Sequence, residues 1–216
     1  MTTHKSRPRH GKPRSISDNL RKLFDLFSPK DKILVTIDAD PDAMASALAL
    51  KRILWRRVRT VTIAHFNEIR RFDNLTMARL LKIPLTKLNK IDSQNFSKIL
   101  LVDGQPHHHA PFAKFKYDAV IDHHPMVMPV KAPFVDIRPD YGATATIMTE
   151  YLRAAKIRPS RSLATALVYA IRADTRNFEA GALDEDVKAF HFLFPYANMH
   201  LLSKIETAEM GLEELP

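Results

Sequence analysis

The chain has 216 residues, of which 45% are hydrophobic and 26% charged, the composition of an ordinary globular protein. It contains no cysteine, which excludes disulfides, thiolate metal ligands and cysteine nucleophiles. No uncharged apolar run approaches the length of a membrane span, and no signal sequence follows the basic N-terminus. We therefore expect a cytoplasmic protein without membrane contact.

The net charge of +9 is unevenly distributed along the chain. Residues 1–14 hold five basic residues and no acid, which leaves 28 basic and 24 acidic residues, a net +4, for the remainder. We expect this tail to be disordered because it cannot bury apolar surface. Two interpretations stay open: the tail follows a phosphate backbone, or it is a solubilising arm.

The first predicted element is a helix that Ser17 could cap and that ends near Pro29. Beyond it, apolar runs typical of buried strands alternate with helical stretches. The predicted strands cover residues 33–37, 61–64, 99–102 and 119–121, and the helices between them cover 43–57 and 72–81. The chain then becomes helical over residues 143–155, 160–173, 184–194 and 198–209.

This alternation predicts the α/β class, with near-continuous apolar strands in a parallel sheet. Helices are expected on both faces of the sheet, which gives three layers, and the C-terminal portion is expected to be helical. Residues 15–216 would form one domain. Ligands of such sheets bind outside the carboxyl ends of the strands, so the residues just after each strand are the first candidates for a site.

Acidic and histidine side chains follow three of the predicted strands. They are Asp38, Asp40 and Asp42 after the first strand, Asp103 after the third, and Asp122, His123 and His124 after the fourth. Taken singly, each motif is more often a helix cap, a turn or a surface pair. Together they deliver carboxylates and imidazoles to one sheet edge, a donor set that suits manganese or magnesium. A pair of such ions can promote phosphoryl chemistry.

These motifs resemble those of the DHH family of phosphoesterases. Residues 38–46, Asp-Ala-Asp-Pro-Asp-Ala-Met-Ala-Ser, are similar to its first motif, Asp103 to its second and residues 122–124, Asp-His-His, to its third. Residues 173–175, Ala-Asp-Thr, resemble the fourth motif, and residues 141–146 resemble the segment that follows the third. The resemblance covers roughly residues 30–205. It is greatest to the oligoribonuclease and pAp-phosphatase (NrnA-like) members, with the exonuclease RecJ more distant.

The resemblance implies a manganese-dependent hydrolase with two ions, with magnesium as the alternative metal. Its substrate would be a phosphate ester of a nucleotide or short oligonucleotide. Asp40 and Asp103 would hold the first ion, and the second would be held by Asp42, Asp103, His123 and Asp174. His124 would face the substrate phosphate, and Asp122 would orient the histidines from behind.

The sequence departs from the family pattern at two points. Many members carry a histidine four residues before the first-motif aspartate, where this chain has Thr36. We expect Asp38 to supply an oxygen ligand instead. Members also carry a C-terminal substrate-binding domain with a Gly-rich loop, which this chain, with five glycines, does not match. These departures keep an alternative open, a catalytically silent domain that binds a nucleotide or a protein partner. A third possible function is that of an inorganic pyrophosphatase, which shares these motifs.

Several other residues have a functional and a structural interpretation. Arg172 and Arg176 flank Asp174 and would bind a substrate phosphate, or else lie on the ordinary surface. The histidine run 107–109 is interpreted as a solvated loop. The basic run 51–59 is interpreted as a solvated helix end, and Trp55 within it as a core residue.

Overall fold

The computed structural model describes residues 15–208, whose six strands form one fully parallel sheet. The strands are β1 (Lys32–Ile37), β2 (Thr60–His65), β3 (Leu85–Lys87), β4 (Lys98–Val102), β5 (Ala119–Asp122) and β6 (Phe134–Ile137), and they lie in the order β3-β2-β1-β4-β5-β6. The predicted α/β fold with a parallel sheet is confirmed. The sequence missed β3 and β6 because these edge strands are short and only partly buried, so neither is a continuous apolar run.

Seven α-helices flank the sheet within the described residues. They are α1 (Ile16–Phe24), α2 (Pro41–Ile53), α3 (Phe72–Leu80), α4 (Thr144–Ala154), α5 (Arg161–Asp174), α6 (Asp184–Leu193) and α7 (Met199–Glu206). In residues 15–208, none of these is long and apolar enough to cross a membrane. The tail at residues 1–14 and the predicted end of the last helix at residue 209 lie outside the described part of the chain.

Two helix starts differ from the sequence prediction. The first helix begins at Ile16 after Ser15, so Ser17 lies inside it and does not cap it. Helix α2 begins two residues earlier than predicted, because Pro41 occupies its first turn and Asp40 caps it by accepting a 2.8 Å hydrogen bond from the Ala43 N–H. The cap sets the direction in which the acidic loop after β1 enters the helix.

The two faces of the sheet are covered differently. Ile33, Val35 and Ile37 of β1 point into a large core to which every α-helix contributes. On the other face, a smaller cluster joins Leu101 of β4 and Val120 of β5 to the connection between these strands. That connection forms one turn of 3-10 helix rather than an α-helix. Its prolines restrict the backbone, so the second outer layer is mainly loop.

The strand order places a crevice at the carboxyl edge of the sheet. After β1 the chain crosses to β2 and β3 on one side, whereas β4, β5 and β6 lie on the other. The loops that follow β1 and β4 therefore diverge, and ligands of open α/β sheets bind at such a switch point. The start of α4 and the end of α5 reach the same crevice because both helices pack on α2.

The segment that enters α4 is anchored by Asp186, a fully buried acid of α6. Its carboxylate accepts hydrogen bonds from the Gly142 N–H at 3.0 Å, the Thr146 hydroxyl at 2.5 Å and the Leu183 N–H at 2.8 Å. A Cβ atom on Gly142 would lie 2.6 Å from the Cγ2 atom of Thr175 and 2.8 Å from Asp186. Only glycine fits this position without displacing its neighbours.

Gly142→Ala is expected to lower the free energy of unfolding by about 1–3 kcal/mol, because the added methyl overpacks a buried polar site. Urea-induced unfolding followed by circular dichroism measures this loss. Gly104→Ala is the matched control: its Cβ atom would lie no nearer than 3.3 Å to a Phe112 ring carbon, with its other contacts at 3.9 Å, so its loss should be smaller. Equal stability of Gly142→Ala and the parent chain would contradict the packing argument.

Candidate metal centre

Asp42, in the first turn of α2, is fully buried and held by the start of α4. Its two carboxylate oxygens accept hydrogen bonds from the backbone N–H groups of Thr144 at 2.6 Å and Ala145 at 2.7 Å. The Ser46 hydroxyl donates a third, at 3.2 Å. Free N–H groups at a helix N-terminus stabilise negative charge, which is why this acid tolerates burial next to other acids.

Asp103 follows β4 in a left-handed conformation, with φ 58°. This conformation is uncommon outside glycine, although aspartate adopts it more readily than most residues. Asp103 is buried, and its Oδ1 atom accepts a hydrogen bond from the Thr144 hydroxyl at 2.8 Å. The residues at the start of α4 thus hold both Asp42 of α2 and Asp103 after β4, although these elements are far apart in sequence.

His123 meets three carboxylates. Its Nδ1 atom lies 3.1 Å from the carbonyl oxygen of Tyr141 and donates its proton there, so Nε2 faces the acids. Nε2 lies 3.4 Å from Asp174, 3.7 Å from Asp103 and 3.9 Å from Asp42. This atom is buried and has no hydrogen-bond partner among residues 15–208. An imidazole nitrogen surrounded by carboxylates at this spacing leaves room for an ion bound about 2.0–2.3 Å from each ligand.

The electrostatics of the cluster also favour a cation. Burial and the repulsion of nearby carboxylates raise the pKa of Asp42 and of Asp103 well above the ordinary range. Burial opposes the charged form of His123, but the carboxylates of Asp174, Asp42 and Asp103 outweigh it and raise the pKa of the imidazole to about 10. Without a metal, a proton on His123 therefore takes the place of the missing positive charge.

Asp40 and Asp38 lie on the loop between β1 and α2. Asp40 reaches solvent, yet protein atoms crowd its carboxylate and, together with repulsion from Asp103, raise its pKa well above the usual value. The Oδ2 atom of Asp38 lies 3.3 Å from the Nε2 atom of His109. Asp38 is thus adjacent in sequence to the cluster, but its side-chain contact is with another loop.

Thr36 occupies the position of the missing family histidine. It is fully buried in β1, and its hydroxyl lies 3.3 Å from both the Leu100 carbonyl oxygen and the Tyr117 hydroxyl. Tyr117 belongs to the cluster on the loop-covered face of the sheet. The contacts of Thr36 are therefore with the strand and with this face, rather than with the acids of the crevice.

His124 lies at the exposed edge of the cluster and is held by Asp122. The Nδ1 atom of His124 donates to Asp122 at 2.8 Å, and Gln105 donates to the other Asp122 oxygen at 2.7 Å. These hydrogen bonds outweigh burial and keep the pKa of Asp122 below its usual value, while the bond to Asp122 raises the pKa of His124. The His124 side chain is 45% exposed and lies 3.9 Å from Asp103, so a substrate can reach it.

The sequence analysis missed two contributions to this site. The histidine run interpreted as a solvated loop packs on it: His109 pairs with Asp38, and the His108 ring lies 5.4 Å from that of His124. The buried Gln105 that supports Asp122 also went unrecognised. The available signal was position, because these residues directly follow Asp103 at the same sheet edge.

The two predicted substrate arginines have different surroundings. Arg172 pairs with Glu206 at 2.8 Å and donates to Asn177 at 2.8 Å. Arg176 has a left-handed backbone and forms no ion pair with any residue between 15 and 208. Both line a cavity of about 540 Å³ whose wall also includes Asp40 and Asp174, so the cavity is continuous with the acidic cluster.

Known proteins resemble this chain in sequence. A family model described as the DHH family, N-terminal domain, matches residues 32–171. An uncharacterised protein of Methanocaldococcus jannaschii is 38% identical over 181 residues, which make up 84% of this chain and 38% of that protein. The chain thus spans well under half the length of this relative.

Two crystal structures match this chain, the first of them in fold. One is a Methanococcus jannaschii protein assigned as a family II inorganic pyrophosphatase, with a TM-score of 0.64 and 24% identity, covering 82% of this chain and 60% of that one. The other is the exonuclease RecJ bound to manganese, with a TM-score of 0.48 and 14% identity, covering 87% of this chain and 49% of that one. Because the family model covers more than half of the sequence, this chain belongs to the DHH family.

Proposed function

We propose that this domain hydrolyses a phosphate ester of a nucleotide or short oligonucleotide at a centre of two manganese ions. The observation that carries the proposal is the Nε2 atom of His123, which is buried and faces three carboxylates at 3.4, 3.7 and 3.9 Å. A group of buried acids is costly unless cations neutralise it, and a proton on His123 supplies only one positive charge. Divalent cations would supply more.

The ligands divide into two sets that share Asp103. Asp42, Asp103, His123 and Asp174 would hold one ion, and Asp40, Asp103 and Asp38 the other. A mixed nitrogen and oxygen donor set favours manganese, since magnesium prefers oxygen ligands alone. When bound, the ions would stabilise negative charge on the phosphoryl oxygens of the substrate.

His124 is the proposed catalytic residue on the substrate side. Asp122 occupies its Nδ1 atom, so the Nε2 atom is left for a phosphate oxygen. Asp122 raises the pKa of His124 and so favours the protonated ring, whose Nε2 atom would donate to that oxygen. Asp122 acts through His124 and is a positioning residue, and Gln105 supports Asp122 in turn.

The two arginines would have separate roles in substrate binding. Arg176 lines the same cavity as Asp174, forms no ion pair within residues 15–208 and would contact a substrate phosphate directly. Arg172 is neutralised by Glu206, so its contribution would be to hold the turn through Asn177 unless the substrate displaces this pair. The cavity of about 540 Å³ that they line is within the usual range for small-ligand sites, about 300–1,000 Å³.

A catalytically silent domain that binds a nucleotide is the second candidate. One observation favours it: the Thr36 hydroxyl is engaged with Leu100 and Tyr117, which leaves the first ion without a nitrogen ligand from β1. The following experiment distinguishes the two candidates.

The purified chain is expected to hydrolyse a dinucleotide in the presence of manganese, and Asp103→Asn should lower the rate more than about 100-fold. The reason is that even losing a group that only supports a ligand costs about 10- to 100-fold in such sites. Asp92→Asn, which changes an exposed acid of a 3-10 turn, is the control and should leave the rate unchanged. If Asp103→Asn and the parent chain are indistinguishable at saturating manganese, the silent-domain interpretation replaces the hydrolase.

The adjacent histidines offer a matched pair of variants. His124→Asn should lower kcat by about 100- to 10,000-fold, the usual contribution of a positioned proton donor, and leave manganese affinity nearly unchanged. His123→Asn should instead weaken manganese binding, because it removes a nitrogen ligand. Steady-state kinetics and calorimetric metal titration separate the two effects. Equal losses of metal affinity in both variants would contradict the division of roles.

Manganese affinity should rise with pH by about tenfold per unit for each proton displaced. The metal-free site holds a proton on His123 up to a pH of about 10, and the metal requires the neutral ring. Calorimetry in two buffers of different ionisation enthalpy counts the released protons, and His123→Asn should release fewer.

The same titration should count two ions per chain and one for Asp38→Ala. An unchanged count for Asp38→Ala would leave Asp38 as a partner of His109 alone.

A further inference from the structure

The single tryptophan of the chain lies on the surface, contrary to the core position expected from the sequence. Trp55 follows α2 directly and is 57% exposed. The guanidinium groups of Arg52 and Arg56 lie over its ring, 5.0 Å and 4.3 Å from the centroid. More than half of the ring remains accessible beside these cations, and exposed aromatic side chains next to arginine are used to stack unpaired bases.

The surroundings of Trp55 are strongly basic. Residues 51–59 include Lys51, Arg52, Arg56, Arg57 and Arg59 and no acid. Within the part of the chain that the structure describes, none of the four arginines forms an ion pair. Lys51 donates to the Val61 carbonyl oxygen at 2.6 Å, and the Arg57 guanidinium lies over the Phe24 ring. A surface with several arginines and no neighbouring acid in sequence complements a polyanion, since phosphate backbones are recognised mainly through lysine and arginine.

Arg56 lies three residues after α2 and adopts the left-handed conformation, with φ 64°, which glycine accommodates more readily than arginine. Helices commonly end with a residue in this conformation, and Lys82, Lys156 and Arg176 adopt it after α3, α4 and α5. The conformation of Arg56 therefore belongs to the end of the helix, and its guanidinium lies nearer to the Trp55 ring than that of Arg52 does.

An apolar cavity of about 440 Å³ adjoins the ring. Its wall includes Leu48 and Arg52 of α2, Trp55, Leu81 and Leu163. Two serines at the start of α5, Ser160 and Ser162, border it. An apolar floor with polar groups at the rim fits the flat face and polar edge of a nucleobase.

This surface is remote from the metal centre. The N-terminus of α2 carries Asp42, whereas Trp55 follows its C-terminus, and a helix of 13 residues is about 20 Å long. The Arg59 N–H donates to the Asp31 carbonyl oxygen at 2.8 Å, just before β1, which places this loop at the amino edge of the sheet. The acids of the cluster lie at the carboxyl edge.

We propose that the Trp55 patch, defined by Lys51, Arg52, Trp55, Arg56, Arg57 and Arg59, binds single-stranded nucleic acid. An unpaired base stacks on Trp55 beside the apolar cavity, and the arginines contact the flanking phosphates. This binding is independent of hydrolysis, because the patch shares no residue with the metal centre. An acidic protein segment would satisfy the charges but would leave the exposed ring and the adjoining cavity without a planar partner.

Intrinsic fluorescence tests the proposal directly, since Trp55 is the only tryptophan. The full chain, with chelator present to prevent hydrolysis, is titrated with a single-stranded RNA of about 12 nucleotides, which spans roughly 40 Å at 3.4 Å per nucleotide. Saturable quenching by this RNA, and by DNA of the same sequence, is expected. The corresponding duplex and a polyanion without bases, heparin, should quench weakly. Absent quenching, or equal quenching by heparin or the duplex, overturns the proposal.

Variants then test each part of the patch. Trp55→Ala should weaken binding of fluorescein-labelled RNA, measured by anisotropy, by roughly 5- to 150-fold. Arg56→Gly removes a cation and relieves the strained backbone, so affinity should fall while the melting temperature is maintained or rises. Lys188→Ala, which removes an exposed cation on α6, is the control and should change affinity least. If Arg56→Gly binds RNA like the parent, Arg56 has no role in the patch and the proposal fails. Dinucleotide hydrolysis, where the parent shows it, should be unchanged in Arg56→Gly.

Discussion

The carboxylate of Asp42, clamped by the backbone N–H groups of Thr144 and Ala145, is the contact on which the rest of the site depends. It joins the first turn of α2 to the start of α4, more than a hundred residues later. Because the same helix start also holds Asp103 through the Thr144 hydroxyl, it aligns the two acids at the switch point of the sheet. Gly142 and Asp186 hold this helix start from behind, so the packing of α6 is linked to the geometry of the crevice.

The site concentrates negative charge where the fold can tolerate it least. Asp42 and Asp103 are buried, and burial together with the repulsion of nearby carboxylates raises the pKa of both carboxyls well above the ordinary range. Such an arrangement lowers stability relative to a well-packed apolar one. Divalent cations, bound as proposed above, would convert this repulsion into coordination. Stability and function would then make opposite demands on these residues.

Helix α2 runs from the acidic cluster in the crevice to the Trp55 patch. Acids lie at its N-terminus, in the crevice, and arginines lie in its last turn and beyond its C-terminus, around Trp55. The helix dipole favours both placements, because the N-terminus attracts negative charge and the C-terminus attracts positive charge. A metal centre at one end and a polyanion-binding surface at the other would let a longer single strand be held away from the bond that is hydrolysed.

The sequence by itself determined the class of fold and the composition of the crevice. Parallel strands must bring their carboxyl ends to one edge, so Asp42, Asp103 and His123 could be expected to meet before any contact was known. Edge strands β3 and β6 escaped prediction because their partial burial leaves no continuous apolar run. Tertiary structure alone decided which partners the side chains have: His109 with Asp38, Gln105 with Asp122, Arg172 with Glu206. It also left Trp55 exposed. Periodicity records which face of an element is apolar, whereas contacts between distant elements depend on how loops and helices pack, which no local pattern encodes.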